Sequence, residues 1–399
     1  MIADPSSIGM SRPRAADGWL VALFLLLICA PGVLTPWGVA RSEPEQNGEL
    51  DVPVPVLRHG SGVGPWLQQV QDYLRLHFAL RQPMIDLDAR LKEGLALSSS
   101  YGSPVTRGRD GWLFYRVHRG TQGVRPELPF PPEELERWAQ HLEASARLVT
   151  ARGARLLVVV APDKETIYPD LLPAGLPAAR PLSRLDLLLA RLHRGGEVAT
   201  LDLRPALRDA RRRGSPFERW PLYYRTDTHW NELGGTLAAS EVLRHLGQWF
   251  PGVAPPSVSE LVVTTETTAG GDLARMQSLQ GSLGELRVSV ELPVRCRFET
   301  SRAKWASGPE TPLTGPGELE CPGAPVGRAL ILHDSMMNSM LPVLAPTFRR
   351  SAWRLDWQVE PELLDHERPD LVLIEFVERS LWEGPPGPPL AGTSGRVLR

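Results

Sequence analysis

The chain opens on an unbroken apolar run. Trp19 to Ala30 is wholly apolar, and the run continues through Pro31, Gly32, Val33 and Leu34 before Thr35. A buried helix at an extreme terminus ordinarily keeps one polar face, so this run reads as a membrane-directed segment. Two forms are open: an uncleaved anchor over residues 19–40, which is preferred, or a signal peptide cut after Gly38-Val39-Ala40. Pro31 and Pro36 weaken a straight spanning helix. Arg12 and Arg14 precede the run and Arg41 and Arg58 follow it, so arginine balance does not orient it. Either form exports the rest of the chain to a compartment that permits disulfides.

Residues 41–65 are polar and punctuated by Pro and Gly, the pattern of a linker. Helical 3–4 spacing follows over residues 66–100, carried by Trp66, Val70, Tyr73, Leu74 and Phe78 and extended by Met84 to Leu95, with Pro83 as a kink. Arg107 to Tyr115 reads as a turn feeding a short strand. From residue 131 helix and strand patterns alternate. Helices are predicted over 131–151, 185–192, 231–246 and 336–344. Strands are predicted over 156–161, 198–203, 329–332, 353–359 and 371–377. The runs at 156–161, 329–332 and 371–377 are continuously apolar, as in strands buried on both faces. The prediction is an α/β fold with a mainly parallel sheet between helices, spanning residues 66–383. Such sheets place chemistry at the carboxyl ends of their strands. Residues 384–399, rich in Pro and Gly, read as a disordered tail.

Composition narrows the picture little. Of 399 residues 42% are hydrophobic and 23% charged, which excludes wholesale disorder. The 44 basic and 46 acidic residues give a net charge of −2, so nothing points to a nucleic-acid partner. Three Cys are too few for a disulfide scaffold or a Cys-rich metal site. Cys296 and Cys321, flanking a Pro/Gly-rich excursion, form a candidate disulfide once exported. Neither HExxH nor CxxC spacing occurs, and no metal or cofactor is assigned.

Two polar clusters sit just before predicted helices. One is Tyr224-Arg225-Thr226-Asp227-Thr228-His229-Trp230-Asn231. The other is His333-Asp334-Ser335, directly after the strand 329–332. A Ser at a strand-to-helix turn exposes its hydroxyl and sets its own backbone N–H where an oxyanion would develop. Serine needs an adjacent base, usually a neutral His held by a carboxylate. Asp227 and His229 are two apart, and in an extended segment they share a face. Spacing alone leaves other roles open: Asp227 as a turn residue, Asn231 and Ser335 as helix caps.

The ordered set of motifs resembles the alginate O-acetyltransferase family of SGNH-hydrolase-like proteins, the AlgJ/AlgX type. The residues that carry it are His77 to Arg81, Gly108 to Tyr115, the strand and Pro-Asp-Lys turn from Val158 to Tyr168, Asp227 to Asn231, Gly271-Asp272-Leu273, Asp334-Ser335 and Val377 to Ser380. The resemblance implies a three-layer SGNH fold. It implies Ser335 as nucleophile, His229 as base and Asp227 as the acid that orients it. It further implies a periplasmic protein that O-acetylates an exported polysaccharide, with acetyl groups delivered by a membrane-bound O-acyltransferase; the apolar segment at 19–40 would anchor it to the inner membrane. No separate carbohydrate-binding module is read after Glu378-Arg379, which is nearer the AlgJ type. The sequence departs from the family in having His333 where Gly commonly precedes Asp-Ser, and the Gly and Asn of ordinary SGNH oxyanion holes have no evident counterparts.

Further candidates carry two readings each. Trp230, Tyr223 and Tyr224 are sugar-stacking rings or core residues. Arg225 and Arg379 are bidentate partners for a uronate carboxylate or members of structural ion pairs. Lys164 is a solvated turn charge. His333 contacts substrate or packs. Two alternatives to acetyl transfer stay open: an acetyl esterase using the same triad, and a non-catalytic glycan-binding or scaffold component of an export complex.

Overall fold

In the computed structural model, residues 104–115, 130–173, 182–292, 296 and 317–385 are described, with the isolated positions 19, 64, 66 and 69. The chain divides into two compact units, residues 1–94 with 399 and residues 95–398. The apolar run apart from Trp19, the linker apart from Gly64 and most of the helical lead-in lie outside the described residues, as does the tail from residue 386. Among the described residues no helix is long and apolar enough to cross a membrane.

The second unit begins with a short antiparallel hairpin, β1 (Val105–Arg107) and β2 (Leu113–Tyr115). The Val-rich run becomes β3 (Arg155–Ala161), followed by β4 (Ala199–Asp202). A second antiparallel hairpin, β5 (Val262–Ala269) with β6 (Gly284–Glu291), comes next. The last strands are β7 (Gly317–Glu320), β8 (Val326–Leu332), β9 (Phe348–Arg354) and β10 (Leu371–Val377). Six of them form one sheet in the order β4-β3-β10-β8-β9-β7. Only the edge strand β7 runs antiparallel, against β9; the other pairings are parallel.

Helices cover both faces. On one face lie α1 (Pro132–Thr150) and α3 (Arg184–Gly195), which flank the short α2 (Lys164–Ile167) in sequence. Two prolines begin α1, where a missing N–H costs nothing. Its Trp138 packs on Trp357 and on Phe376 of β10. Ser183 and Asp186 close a capping box on α3, and Gly196 ends that helix with a left-handed φ of 72°. Against the other face pack α4 (Arg204–Arg211) and α5 (Glu232–Leu246), then, beyond the small α6 (Asp272–Met276), α7 (Leu341–Leu344). The last helix, α8 (Pro361–Glu367), returns to the first face. Alternate residues of the central strands serve the two layers: Leu157, Ile331 and Leu373 face α5, and Val158, Leu330 and Ile374 face α1. Each of these fully buried side chains contributes roughly 1.5–3 kcal/mol.

Two predicted elements differ in the structure, and one hairpin was not predicted. The strand expected at 353–359 runs instead over 348–354, because its ends follow its register on β8, Val326 with Phe348 through Leu332 with Arg354. Trp357 and Val359 are buried from the connecting segment. The helix expected over 336–344 is a 3-10 turn, Ser335–Ser339, and then α7. Pro342 has no N–H with which to continue one helix through both. The β5–β6 hairpin was not foreseen: β5 is Thr-rich and largely exposed, so it lacks a strong apolar signal.

The parallel register has one consequence for chemistry. The adjacent strands β3, β10 and β8 all release their chains at the same edge, and Pro162, Glu378 and His333 follow them there.

Candidate active site

Ser335 opens the 3-10 turn after β8, and its neighbour fixes the turn. Asp334 is the cap: one oxygen accepts the Met336 N–H at 2.8 Å and the other accepts the Val377 N–H at 2.7 Å, tying the turn to the end of β10. α5 approaches from the other side at Gly235, where an added Cβ would lie 2.4 Å from Ser339 Cβ. Glycine is what allows this contact.

The second cluster bends rather than extends. The His229 N–H donates to Asp227 Oδ1 at 2.9 Å, so Asp227 closes a local turn on its own backbone. The same oxygen lies 2.7 Å from His229 Nδ1. An ionised carboxylate only accepts, so the ring proton sits on Nδ1 and the Nε2 lone pair is free to act. His229 Nε2 is 2.7 Å from Ser335 Oγ. Asp227, His229 and Ser335 therefore form a continuous hydrogen-bonded relay, with His229 and Ser335 106 residues apart in sequence.

The electrostatics match. Burial opposes a charged imidazole at His229, but the Asp227 carboxylate, with Asp272 beyond it, outweighs burial and raises its pKa. Burial pushes the Asp227 carboxyl up, yet the imidazole and the backbone N–H groups of His229 and Asp272 bring it well below the usual range.

The loop is clamped from three directions. Lys164 Nζ donates to the carbonyls of Tyr224, Arg225 and Asp227 at 3.1, 3.2 and 2.7 Å. This ammonium is 2% exposed, over the rings of Trp112 and Phe114, and burial pushes its pKa down to about 8. From β6, the buried Glu285 accepts the Arg225 N–H at 3.0 Å and both the N–H and hydroxyl of Thr226 at 2.6 Å. From the start of α6, the Asp272 N–H donates to Asp227 Oδ2 at 2.9 Å.

Asp227, His229 and Asp272 are also the one group of three carboxylate or imidazole donors, among the described residues, close enough to hold a metal ion. Each of the three is engaged in the hydrogen bonds just given, and the arrangement is that of an acid–base relay.

The family model of the SGNH hydrolase-like domain of the acetyltransferase AlgX matches residues 105–315, just over half of the chain. The chain belongs to this family. The match takes in Asp227 and His229; Ser335 lies beyond it. A probable alginate O-acetylase AlgJ from Pseudomonas aeruginosa is 30% identical over 182 residues, 46% of this chain and 43% of that one. Its namesake from Pseudomonas syringae pv. tomato is 24% identical over 193 residues, 47% and 44% of the two chains. The chain spans less than half the length of these relatives. Among solved structures, Bacillus cereus PatB1 with a sulfonyl adduct superposes with a TM-score of 0.54 at 16% identity, covering 69% of this chain and 95% of that one. At such identity the likeness is one of fold.

The structure brings together Asp227, His229 and Ser335 as the sequence predicts, and joins Cys296 to Cys321 in a disulfide with Cα atoms 5.7 Å apart. For most of the residues given two readings, the contacts are those of packing or ion pairing. Trp230 is 1% exposed and its indole N–H donates to the Met336 carbonyl at 2.8 Å, so it props the Ser335–Ser339 turn instead of stacking a sugar. Tyr223 is likewise buried, its hydroxyl donating to the Pro162 carbonyl. Tyr224 is half-buried. Arg225 donates to the Gly284 carbonyl at 2.7 Å. Arg379 is paired with the buried Asp163 at 2.9 Å. Its neighbour Glu378 accepts from the Asp163 N–H and the Thr166 hydroxyl, so the Glu-Arg motif is stapled to the Pro-Asp-Lys turn. His333 is buried, with Nδ1 2.6 Å from the Asp334 carbonyl. Lys164 is no solvated charge. Glu285 and the Lys164 anchor escaped the sequence reading; the alternation Leu286, Val288, Val290 was the available signal for β6 and hence for Glu285.

Proposed function

We propose that this protein is an O-acetyltransferase that works through an acetyl-Ser335 intermediate. The observation that carries the reading is the relay itself, with His229 2.7 Å from both Ser335 Oγ and Asp227 Oδ1. Family membership and the AlgJ relatives support the acetyl group as cargo. In the first half-reaction His229 Nε2 takes the Ser335 proton as Oγ attacks the acetyl carbonyl. The donor's leaving oxygen then departs with that proton. In the second, a sugar hydroxyl gives its proton to His229 and attacks the acetyl carbon, and Ser335 Oγ leaves reprotonated. Asp227 holds the ring in the right tautomer and stabilises the imidazolium. The Met336 N–H is committed to Asp334, so the Ser335 N–H is our candidate oxyanion donor.

The acceptor we infer is an exported polysaccharide met in the periplasm, with a membrane-bound O-acyltransferase supplying acetyl groups and residues 19–40 tethering the chain to the inner membrane. The test is direct. Purified protein incubated with an acetyl ester gains one acetyl group on Ser335, read by mass spectrometry, and passes it to an oligosaccharide acceptor. Ser335→Ala protein that still acetylates itself at the same rate refutes the intermediate. Release of acetate unchanged by acceptor makes the protein an esterase.

A further inference from the structure

A second carboxylate stands beside the outer nitrogen of His229. Asp272 Oδ2 is 3.7 Å from His229 Nδ1, and its side chain is 15% exposed. The same oxygen accepts the Thr228 hydroxyl at 2.5 Å, and Thr228 Oγ1 is itself 3.2 Å from Nδ1. Asp272 Oδ1 accepts the Thr228 N–H at 2.7 Å. The Asp272 N–H meanwhile donates to Asp227 Oδ2. Two carboxylates thus converge on one imidazole.

Their closeness is built in. At Gly271 an added Cβ would lie 2.4 Å from Asp227 Cβ and 2.6 Å from Asp227 Oδ2, so no larger residue fits without moving the acid. Buried like charges repel, and such a pair persists where a cation lies between them. Burial and the Asp227 charge push the Asp272 carboxyl up, while the imidazole holds Asp227 down. Asp272 clamps Thr228 with both oxygens. A neutral amide keeps one acceptor for the Thr228 N–H while its NH2 donates to the Thr228 hydroxyl oxygen, so the clamp itself does not need the negative charge. Two cations face the Asp272 charge, the His229 imidazolium and the buried Lys164 ammonium; His229 is the one in ion-pair contact, at 3.7 Å, and Arg379 opposes imidazolium formation.

We propose that Asp272 is a positioning residue of the relay, a second anion that steadies the His229 imidazolium alongside Asp227, directly and through the Thr228 hydroxyl. No proton passes to it: the Ser335 proton moves to Nε2 and the Nδ1 proton stays shared with Asp227. The proposal rests on Ser335 being the nucleophile.

The experiment follows sulfonylation of Ser335 in the full chain by phenylmethanesulfonyl fluoride, by intact mass, across the pH range where histidine titrates. Asp272→Asn, which keeps the shape and one of the two acceptor oxygens, is expected to move the midpoint of the rate to lower pH by roughly half to one pH unit. Asp272→Glu restores it. Asp227→Asn is expected to slow labelling about a hundredfold, and the double variant about ten-thousandfold, the loss expected when a triad acid has no substitute. Gly271→Ala keeps both charges but drives them apart, and lowers the midpoint as well. A purely structural Asp272 changes the melting temperature and leaves the midpoint in place; that result, or no added loss in the double variant, overturns the proposal. If wild-type Ser335 takes no label, the nucleophile assignment fails, and the role of Asp272 with it.

Discussion

Lys164 Nζ lies 2.7 Å from the carbonyl oxygen of Asp227, so the carboxylate that hydrogen-bonds His229 is itself held, through its backbone, by a buried cation. Replacing Lys164 by Met strands three carbonyls that now share one ammonium. The expected loss is roughly 3 kcal/mol of stability, measured by urea unfolding, together with most Ser335 acylation. An ammonium has three N–H donors and an amine two. Deprotonation at about pH 8 therefore releases one carbonyl, and Ser335 acylation is expected to decline above that pH.

The acid limb has a different owner. His229 must be neutral to accept the Ser335 proton, and its pKa lies above the ordinary 6.5 because Asp227 and Asp272 outweigh burial. Acylation is therefore absent below this pKa and rises as pH passes through it. The midpoint should fall above pH 6.5, and a midpoint below that value contradicts the geometry.

Arg379 gives the cleanest choice between binding and packing. Its partner Asp163 is 7% exposed and its guanidinium is caught between strand ends. Arg379→Met leaves that carboxylate buried and unpaired, at a cost of roughly 3–5 kcal/mol in chemical denaturation. A substrate-binding arginine would instead raise KM for the acceptor and leave stability unchanged.

Gly235→Ala tests the contact between α5 and the turn that begins at Ser335. The new methyl would meet Ser339 Cβ at 2.4 Å and its backbone carbonyl oxygen at 2.8 Å. Overpacking of this kind costs about 1–3 kcal/mol. Because Ser339 ends the turn that Ser335 begins, labelling of Ser335 should slow more than the stability loss explains.

Removing the disulfide should loosen the unit without touching the chemistry. A Cys296→Ser, Cys321→Ser variant is expected to lose roughly 3 kcal/mol, visible as a lower melting temperature, while His229-dependent labelling keeps its pH midpoint.

Sequence by itself determined the layered architecture. Continuous apolar runs at 156–161, 329–332 and 371–377 have no solvent-facing side, so they become central parallel strands. It also singled out the three relay residues, because Asp-x-His and a Ser after a buried strand are local features. What it left undecided were distances between segments far apart in the chain. Trp230 and Arg379 have the composition of a sugar site, but register and packing turned them inward, to Met336 and Asp163. Lys164 looks like a turn charge until the strand β3 delivers it beneath three carbonyls that belong to a loop 60 residues away. Asp272 stands in the sequence only as part of the Gly271-Asp272-Leu273 motif, and only the close approach at Gly271 sets its carboxylate beside His229. Hydrophobic periodicity fixes which face of an element is buried. Which polar groups meet at the strand ends depends on long-range contacts that no local pattern encodes.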